Sequence, residues 1–225
     1  MEALLSDSDS SIEAQPWFGW WRFAHCGCFL TGGITFCFGT FLLWPFADDS
    51  SAQANTLAVL SSMLYTVGSL GFLMVDVMEW FTFTESALLR ANISLSATGS
   101  FFYVLGSLGF APSVSAASPT LGSLGFLVGS ALIAASQAWK VIRLWAAPPL
   151  PPPHPPSDAP LALGVEAGAG LGALFFLLGT AFYWLTGWVA GAQLEAVLWL
   201  WAVGSVAFTA GGACLWARHY RLGLA

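Results

Sequence analysis

The chain has 225 residues, 57% of them hydrophobic and 8% charged, with a formal net charge of −6. A soluble domain carries about a quarter charged residues; a fold of this size has no interior able to hide so much apolar surface, so a bilayer must solvate it. Lys and Arg number 6 in all, too few for the phosphate-neutralising clusters that nucleic-acid binding needs, which leaves the lipid bilayer as the expected partner.

Residues 1–22 begin with the acidic stretch MEALLSDSDSSIEAQ and lack the basic start and short apolar core of a secretory signal. They read as a solvated, disordered cytoplasmic tail in which Ser6, Ser8, Ser10 and Ser11 beside Asp7 and Asp9 offer phosphate acceptors. The first apolar segment then acts as an uncleaved signal-anchor. A spanning helix needs about 20 largely apolar residues, and six stretches supply them: 23–46, 55–78, 92–111, 119–139, 163–186 and 194–217. The expected fold is an all-α polytopic membrane protein with six transmembrane helices. Turn-forming or polar pieces separate the stretches at 47–51, 79–90, 112–119 and 187–193, and a Pro-rich run at 148–160 favours extended polyproline II over helix. Paired by loop length, the helices form three tandem hairpins over 23–80, 92–145 and 161–217, with a Pro-rich linker at 146–160 and a short tail at 218–225.

An internal repeat runs through all of them. GSLGF occurs at Gly68–Phe72, Gly106–Phe110 and Gly122–Phe126, within a longer pattern of small residue, aromatic, Gly and Ser or Thr. It reads Gly32/Phe36/Gly39-Thr40, Ser61/Tyr65/Gly68-Ser69, Gly99/Tyr103/Gly106-Ser107, Gly122/Phe126/Gly129-Ser130 and Gly172/Phe176/Gly179-Thr180 in the first five helices. The sixth departs at its first position, with Val197/Trp201/Gly204-Ser205. Four residues past the second Gly stands another bulky group, Leu43, Phe72, Phe110, Ile133, Tyr183 or Phe208. At 3.6 residues per turn these offsets share one stripe of a helix. In lipid, helices associate through close approach at small residues and through Ser and Thr hydrogen bonds. The stripe is therefore expected to be a packing seam in which a bulky group on one helix docks over a Gly on its antiparallel neighbour. One such hairpin cannot bury its seam alone, so several must stack.

These Gly-Ser-aromatic hairpins, most clearly Gly99 to Phe110 with Gly122 to Ser130, resemble the YrhK-like family of small membrane proteins, whose unit is a pair of transmembrane helices with Phe-rich, GS-containing cores. The resemblance implies a tandem array of such units over most of the chain. It implies no particular activity, substrate or cofactor, and the sixth helix fits it least well.

Sites for chemistry are sparse. Asp76 and Glu79 lie three apart on one helix face near an end of the second stretch. They are candidates for binding a cation or proton; the expected role is that of interfacial carboxylates paired with a basic neighbour such as Arg90. Glu166 is expected to open the fifth helix, where a carboxylate suits the positive helix end. His25-Cys26-Gly27-Cys28 holds metal-ligand residue types, but about 200° of helical rotation separates the two cysteines, and no second Cys/His cluster completes a site. His219, beside Arg218 and Arg221, reads as part of a basic end that touches anionic lipid. The GSLGF strings lie mid-helix, where backbone donors are already used, so they cradle no phosphate. No cofactor, metal or enzymatic activity is expected. The first expectation is a structural or partner-binding bundle, its seams satisfied internally, in a homo-oligomer or against another membrane protein. The alternative is a transporter or channel for a neutral or lipid-like solute, and a weaker third is an enzyme with its site around Asp76, Glu79 and Lys140.

With six crossings, Arg22, Arg90, Lys140, Arg143, Arg218 and Arg221 all fall on the side of the termini, while Asp48, Asp49 and Glu195 fall opposite. The positive-inside rule then puts both termini in the cytoplasm. Trp17, Trp20, Trp21, Trp44, Trp80, Trp139, Trp145, Trp184, Trp188 and Trp216 sit near stretch ends as interfacial anchors, whereas Trp199 and Trp201 lie deeper, where packing is expected. Asn92-Ile93-Ser94 matches an N-glycosylation acceptor but falls on the cytoplasmic side of this topology. It should stay unmodified in a glycosylating host; a glycosidase-sensitive mass increment at Asn92 would invert the orientation.

Overall fold

A computed structural model of the chain describes residues 18–44, 52–82, 86–146, 158–186 and 192–221. They form seven α-helices and, among the described residues, no strand: α1 (Phe18–Leu43), α2 (Ala52–Thr82), α3 (Ala87–Gly109), the short α4 (Pro112–Ala117), α5 (Leu121–Ala146), α6 (Asp158–Thr186) and α7 (Ala192–Arg221). The expectations for the acidic tail, for the 47–51 turn and for most of the Pro-rich run lie outside the described residues.

The helices overrun the apolar stretches that announce them. α2 continues to Thr82 and α3 starts at Ala87, which shortens the expected 79–90 connection to 83–86. Ser86 caps α3, its hydroxyl accepting from the Leu89 amide at 3.4 Å. α6 starts at Asp158, inside the Pro-rich run; Pro160 is harmless there because the first N–H groups of a helix have no partner within it. Glu166 consequently lies two turns into α6 and does not open it.

Five helices are long and apolar enough to cross a membrane, spanning Gly19–Leu43, Ala52–Thr82, Leu121–Ala146, Ala159–Leu185 and Gln193–Tyr220. α3, expected as a sixth, falls short in apolarity because Asn92, Ser96, Ser100 and Ser107 dilute it. All four are buried in the bundle, so hydropathy counts against α3 groups that never face lipid.

Each long helix packs on its neighbours in the chain, α1 on α2, α2 on α3, α3 on α5, α5 on α6 and α6 on α7, and α7 returns to α1. The six close into a ring. Neighbours run antiparallel: Gly32 and Gly39 of α1 meet Phe72 and Tyr65 of α2, and Gly172 and Gly179 of α6 meet Phe208 and Trp201 of α7. The glycines of the repeat face bulky groups across these interfaces. A Cβ added at Gly32, Gly68, Gly99, Gly106, Gly129, Gly172, Gly179 or Gly204 would stand 2.6–2.8 Å from Phe72, Phe36, Ile133, Phe126, Tyr103, Phe208, Trp201 or Phe176 respectively. That is well inside van der Waals contact. At Gly122 and Gly39 the fit is looser, 3.0 Å to Phe110 and 3.4 Å to Tyr65.

The aromatic position of the repeat fills the centre of the ring. Phe36, Tyr65, Tyr103, Phe126, Phe176 and Trp201, one from each long helix, are 0–4% exposed and lie 4.9–6.5 Å apart in ring-centroid contacts such as Phe36–Tyr65, Tyr103–Phe126, Phe176–Trp201 and Tyr65–Trp201. In each antiparallel pair one of the two aromatics is polar-tipped, and the Ser or Thr of its partner satisfies it. The Tyr65 hydroxyl and Thr40 Oγ1 are 2.6 Å apart, Tyr103 and Ser130 Oγ 2.8 Å, and Trp201 Nε1 donates to Thr180 Oγ1 at 3.3 Å. Hydroxyls also join one pair to the next, Ser69 with Ser107 at 3.0 Å and Thr40 with Ser205 at 3.3 Å. The outward surface carries Phe38, Phe41, Met63, Val67, Phe101, Leu178 and Val206, each 48–69% exposed, an apolar coat suited to lipid. Trp199 belongs to this coat, 57% exposed with its ring 4.5 Å from that of Trp44, whereas Trp201 is central.

Gly106→Ala, which drives a methyl to 2.8 Å from the Phe126 amide nitrogen, should cost about 1–3 kcal/mol, and Gly106→Leu should prevent assembly. Gly27→Ala meets nothing within 4 Å and should leave stability unchanged or raise it by up to about 1 kcal/mol. Thermal unfolding in detergent separates the two; equal behaviour would count against glycine-mediated packing.

Candidate functional site

The seam does not stop at the four positions of the repeat. Toward the end of the ring that carries the chain termini, it runs on for two more turns and changes from apolar to polar. In α2, beyond Phe72, the same stripe reaches Asp76 and Glu79; in α5, beyond Ile133, it reaches Gln137 and Lys140; in α7, beyond Phe208, it reaches Gly212, Leu215 and His219. The opposite-running helices supply Phe29 and His25 on α1, Ser96 and Asn92 on α3, and Ala169 and Val165 on α6, three and seven residues before Gly32, Gly99 and Gly172. Equivalent positions of the three antiparallel pairs thus bear different groups, and a nearly symmetric scaffold encloses one asymmetric site.

That site is a cavity of about 40 Å³, room for roughly two or three waters. Phe72, Ile133 and Phe208 separate it from the aromatic centre, Phe29 and Val165 form apolar wall, and Asp76, Glu79, Ser96, Ser100, Gln137, Lys140 and Glu166 supply its polar lining. Lys140 Nζ lies 3.3 Å from Glu79 Oε2 and 3.6 Å from Glu166 Oε2, bridging α2 and α6 across the ring. Ser100 Oγ donates to Asp76 Oδ2 at 2.6 Å. Glu79 and Glu166 keep side-chain exposures of 17% and 20%, so solvent reaches this end, while Asp76 lies deeper at 6%. Gln137 is also 6% exposed, and its Oε1 is buried without a hydrogen-bond donor. Three carboxylates face one ammonium inside the ring, with Arg218 of α7 within electrostatic reach of Glu166.

A second chain of contacts leads from the cavity to the ring's closing seam. His25 Nε2 stands 3.4 Å from Glu79 Oε1, and His25 Nδ1 is 3.1 Å from His219 Nε2, joining α1, α2 and α7. Trp21 stacks on His25 at 4.6 Å, and the Arg22 guanidinium donates to the His219 carbonyl. Between α3 and α5 the Asn92 amide donates to the Ser136 carbonyl at 3.0 Å, and Ser136 Oγ donates to Asn92 Oδ1 at 3.1 Å. The asparagine of the glycosylation sequence is thereby buried and committed.

Several expectations change. Asp76 and Glu79 are not interfacial carboxylates neutralised by Arg90: they face the ring interior, Glu79 pairs with Lys140 and His25, and Arg90 lies over the Trp80 ring at 5.2 Å. Glu166 is part of the same network. His219 is buried against His25 rather than presented to lipid. Among the described residues no group of three or more His, Cys, Asp or Glu is placed to hold a metal ion. Lys140 was grouped with Asp76 and Glu79 from the sequence and His25 was weighed only as a metal-ligand type, whereas Gln137, Ser96 and Ser100 were missed. Extending the small/aromatic stripe by two turns finds His25, Ser96 and Gln137, and Ser100 stands beside it, next to Gly99.

No family model, curated protein or solved structure matches the chain.

Removing Lys140 strands two carboxylates inside the ring. Lys140→Met should destabilise the bundle by about 3 kcal/mol, the scale of breaking a buried ion pair, and adding Glu79→Gln should restore part of the loss. A cost for Lys140→Met below about 1 kcal/mol, as for exposed pairs, would show that water screens the network.

Proposed function

We propose that this integral membrane protein binds a small solute in the cavity enclosed by its six long helices, as transporters do, with access from the side of the chain termini. One observation carries the reading. Asp76, Glu79, Lys140 and Glu166, drawn from three helices long and apolar enough to cross a membrane, converge on an internal cavity. Ionisable groups at such positions are costly, and they mark substrate and ion pathways. A bundle that had only to pack would gain stability from apolar residues of similar volume there.

In this reading the chain crosses the bilayer six times, as three tandem two-helix units of YrhK-like kind. Burial of the α3 serines inside the ring supports the sixth crossing, and the antiparallel pairing of α1 with α2, α3 with α5 and α6 with α7 supports the tandem units. The termini are cytoplasmic. Lys140 contributes to the cavity rather than to the loops, so Arg22, Arg90, Arg143, Arg218 and Arg221 carry the orientation signal. The aromatic centre gates the cavity from the far side. That same centre favours a second reading, a structural or partner-binding bundle, because the six buried aromatics leave the middle of the ring dry.

Thiol accessibility separates the readings. In a variant lacking Cys26, Cys28, Cys37 and Cys214, Glu166→Cys places a thiol at the solvent-reached mouth of the cavity, where a bulky reagent can approach it. A membrane-impermeant maleimide should modify it in vesicles exposing the cytoplasmic face and not in vesicles exposing the other. Modification from neither side would leave a sealed bundle and favour the structural reading.

A further inference from the structure

We infer that the solute is a small ammonium-type cation, the ammonium ion or a short primary amine, seated between Asp76 and Gln137 against the Phe29, Phe72 and Phe208 rings. The inference rests on the solute-binding reading above and deepens it by naming the ligand chemistry.

The cavity offers hydrogen-bond acceptors and almost no donors. Gln137 Oε1 is buried on its wall with no donor from the protein, a state that costs about 1–3 kcal/mol unless a ligand supplies the hydrogen. Asp76 accepts from Ser100 at Oδ2 and also from Ser96, and its carboxylate keeps further lone pairs. The one strong donor, Lys140, is already committed to Glu79 and Glu166. A molecule that fits must therefore bring hydrogen-bond donors, and the carboxylate excess favours a positive one, which at this size means N–H donors on an ammonium group. Size restricts it further, since about 40 Å³ suits a body of roughly two or three heavy atoms. The remaining wall selects the type of cation. Phe29 and Phe72 meet at 5.5 Å and Phe72 and Phe208 at 4.8 Å; aromatic faces attract ammonium groups and accommodate a methyl, but cannot replace the water shell of an alkali ion.

Methylammonium is the probe. With the full chain in detergent at matched ionic strength, methylammonium chloride should raise the unfolding midpoint saturably, and ammonium chloride should do likewise, its relative affinity showing whether the methyl is read. Sodium and potassium chloride, and tetraethylammonium, which is too large, should have no saturable effect. Asp76→Asn should weaken methylammonium binding about ten- to a hundredfold, the scale of one hydrogen bond to a charged group. Gln137→Met should also weaken it while leaving the unliganded protein equally stable or more so, because it removes an unsatisfied buried acceptor. That opposition of signs is not available to a merely structural glutamine. Alkali cations as effective as methylammonium, no methylammonium effect, or an effect unchanged in both variants would overturn the inference. A modified Glu166→Cys together with no methylammonium effect sinks the ligand class alone; an unmodified Glu166→Cys sinks the cavity reading itself.

Discussion

The seating of bulky side chains on glycine faces governs everything else in this molecule. Lipid solvates leucine as well as another leucine does, so apolar helices in a bilayer have no hydrophobic reason to meet. What draws them together is contact, and contact needs backbone approach. Glycine permits it on both sides of four of the six interfaces, α1–α2, α3–α5, α6–α7 and α1–α7: Gly125 of α5 comes so near Gly106 of α3 that an added Cβ would lie 2.5 Å from the Gly106 Cα, and Gly212 of α7 stands in the same relation to Leu30 of α1, at 2.7 Å. Because the notches and the bulky groups alternate on one stripe of every helix, all six stripes turn inward together. The aromatic centre, the Ser and Thr bonds around it and the closure of α7 on α1 all follow from that shared orientation.

The same orientation explains how an apolar chain comes to bury a charged network. Once the stripes face inward, whatever residues continue them are carried into the interior. Over the repeat these are glycine and aromatic; for two more turns they are Asp76, Glu79, Gln137, Lys140, His25 and His219. The pairs are built alike, yet the polar turns differ among them, so that Asp76 and Gln137 have Gly212 as their counterpart, and Glu79 and Lys140 have Leu215. Repetition supplies the container and divergence at its end supplies the chemistry. Glu79 lies at the junction of both networks, 3.3 Å from Lys140 on the cavity side and 3.4 Å from His25 on the seam side.

Much of the frame was legible from residues alone, because the repeat is strict and its spacing has one geometric meaning in a helix. Gly32, Gly68, Gly99 and Gly129 could be named as notches without coordinates. The site was harder to read, for three physical reasons. The search for the stripe ended where its residues ceased to be small or aromatic, one turn short of Asp76 and Gln137. Partners were sought near in sequence, so Glu79 was matched with Arg90, whereas its partners Lys140 and His25 are separated from it by 61 and 54 positions and are brought in by ring geometry. Segment ends were set by hydropathy, which placed Glu166 at a helix start.

Closure of the ring is the claim on which the aromatic centre and the cavity both depend, and one cross-link tests it. Cys37 Sγ of α1 lies 3.4 Å from Thr209 Oγ1 of α7, with 172 positions between them. In a chain lacking Cys26, Cys28 and Cys214, with Thr209→Cys introduced and a protease site placed in the 147–157 segment, mild oxidation should join the two halves. The cleaved protein should then migrate as one species until reduced. Halves that separate without reductant, under conditions where a pair engineered between α1 and α2 does cross-link, would show that the first and last helices are not neighbours and that the ring is open.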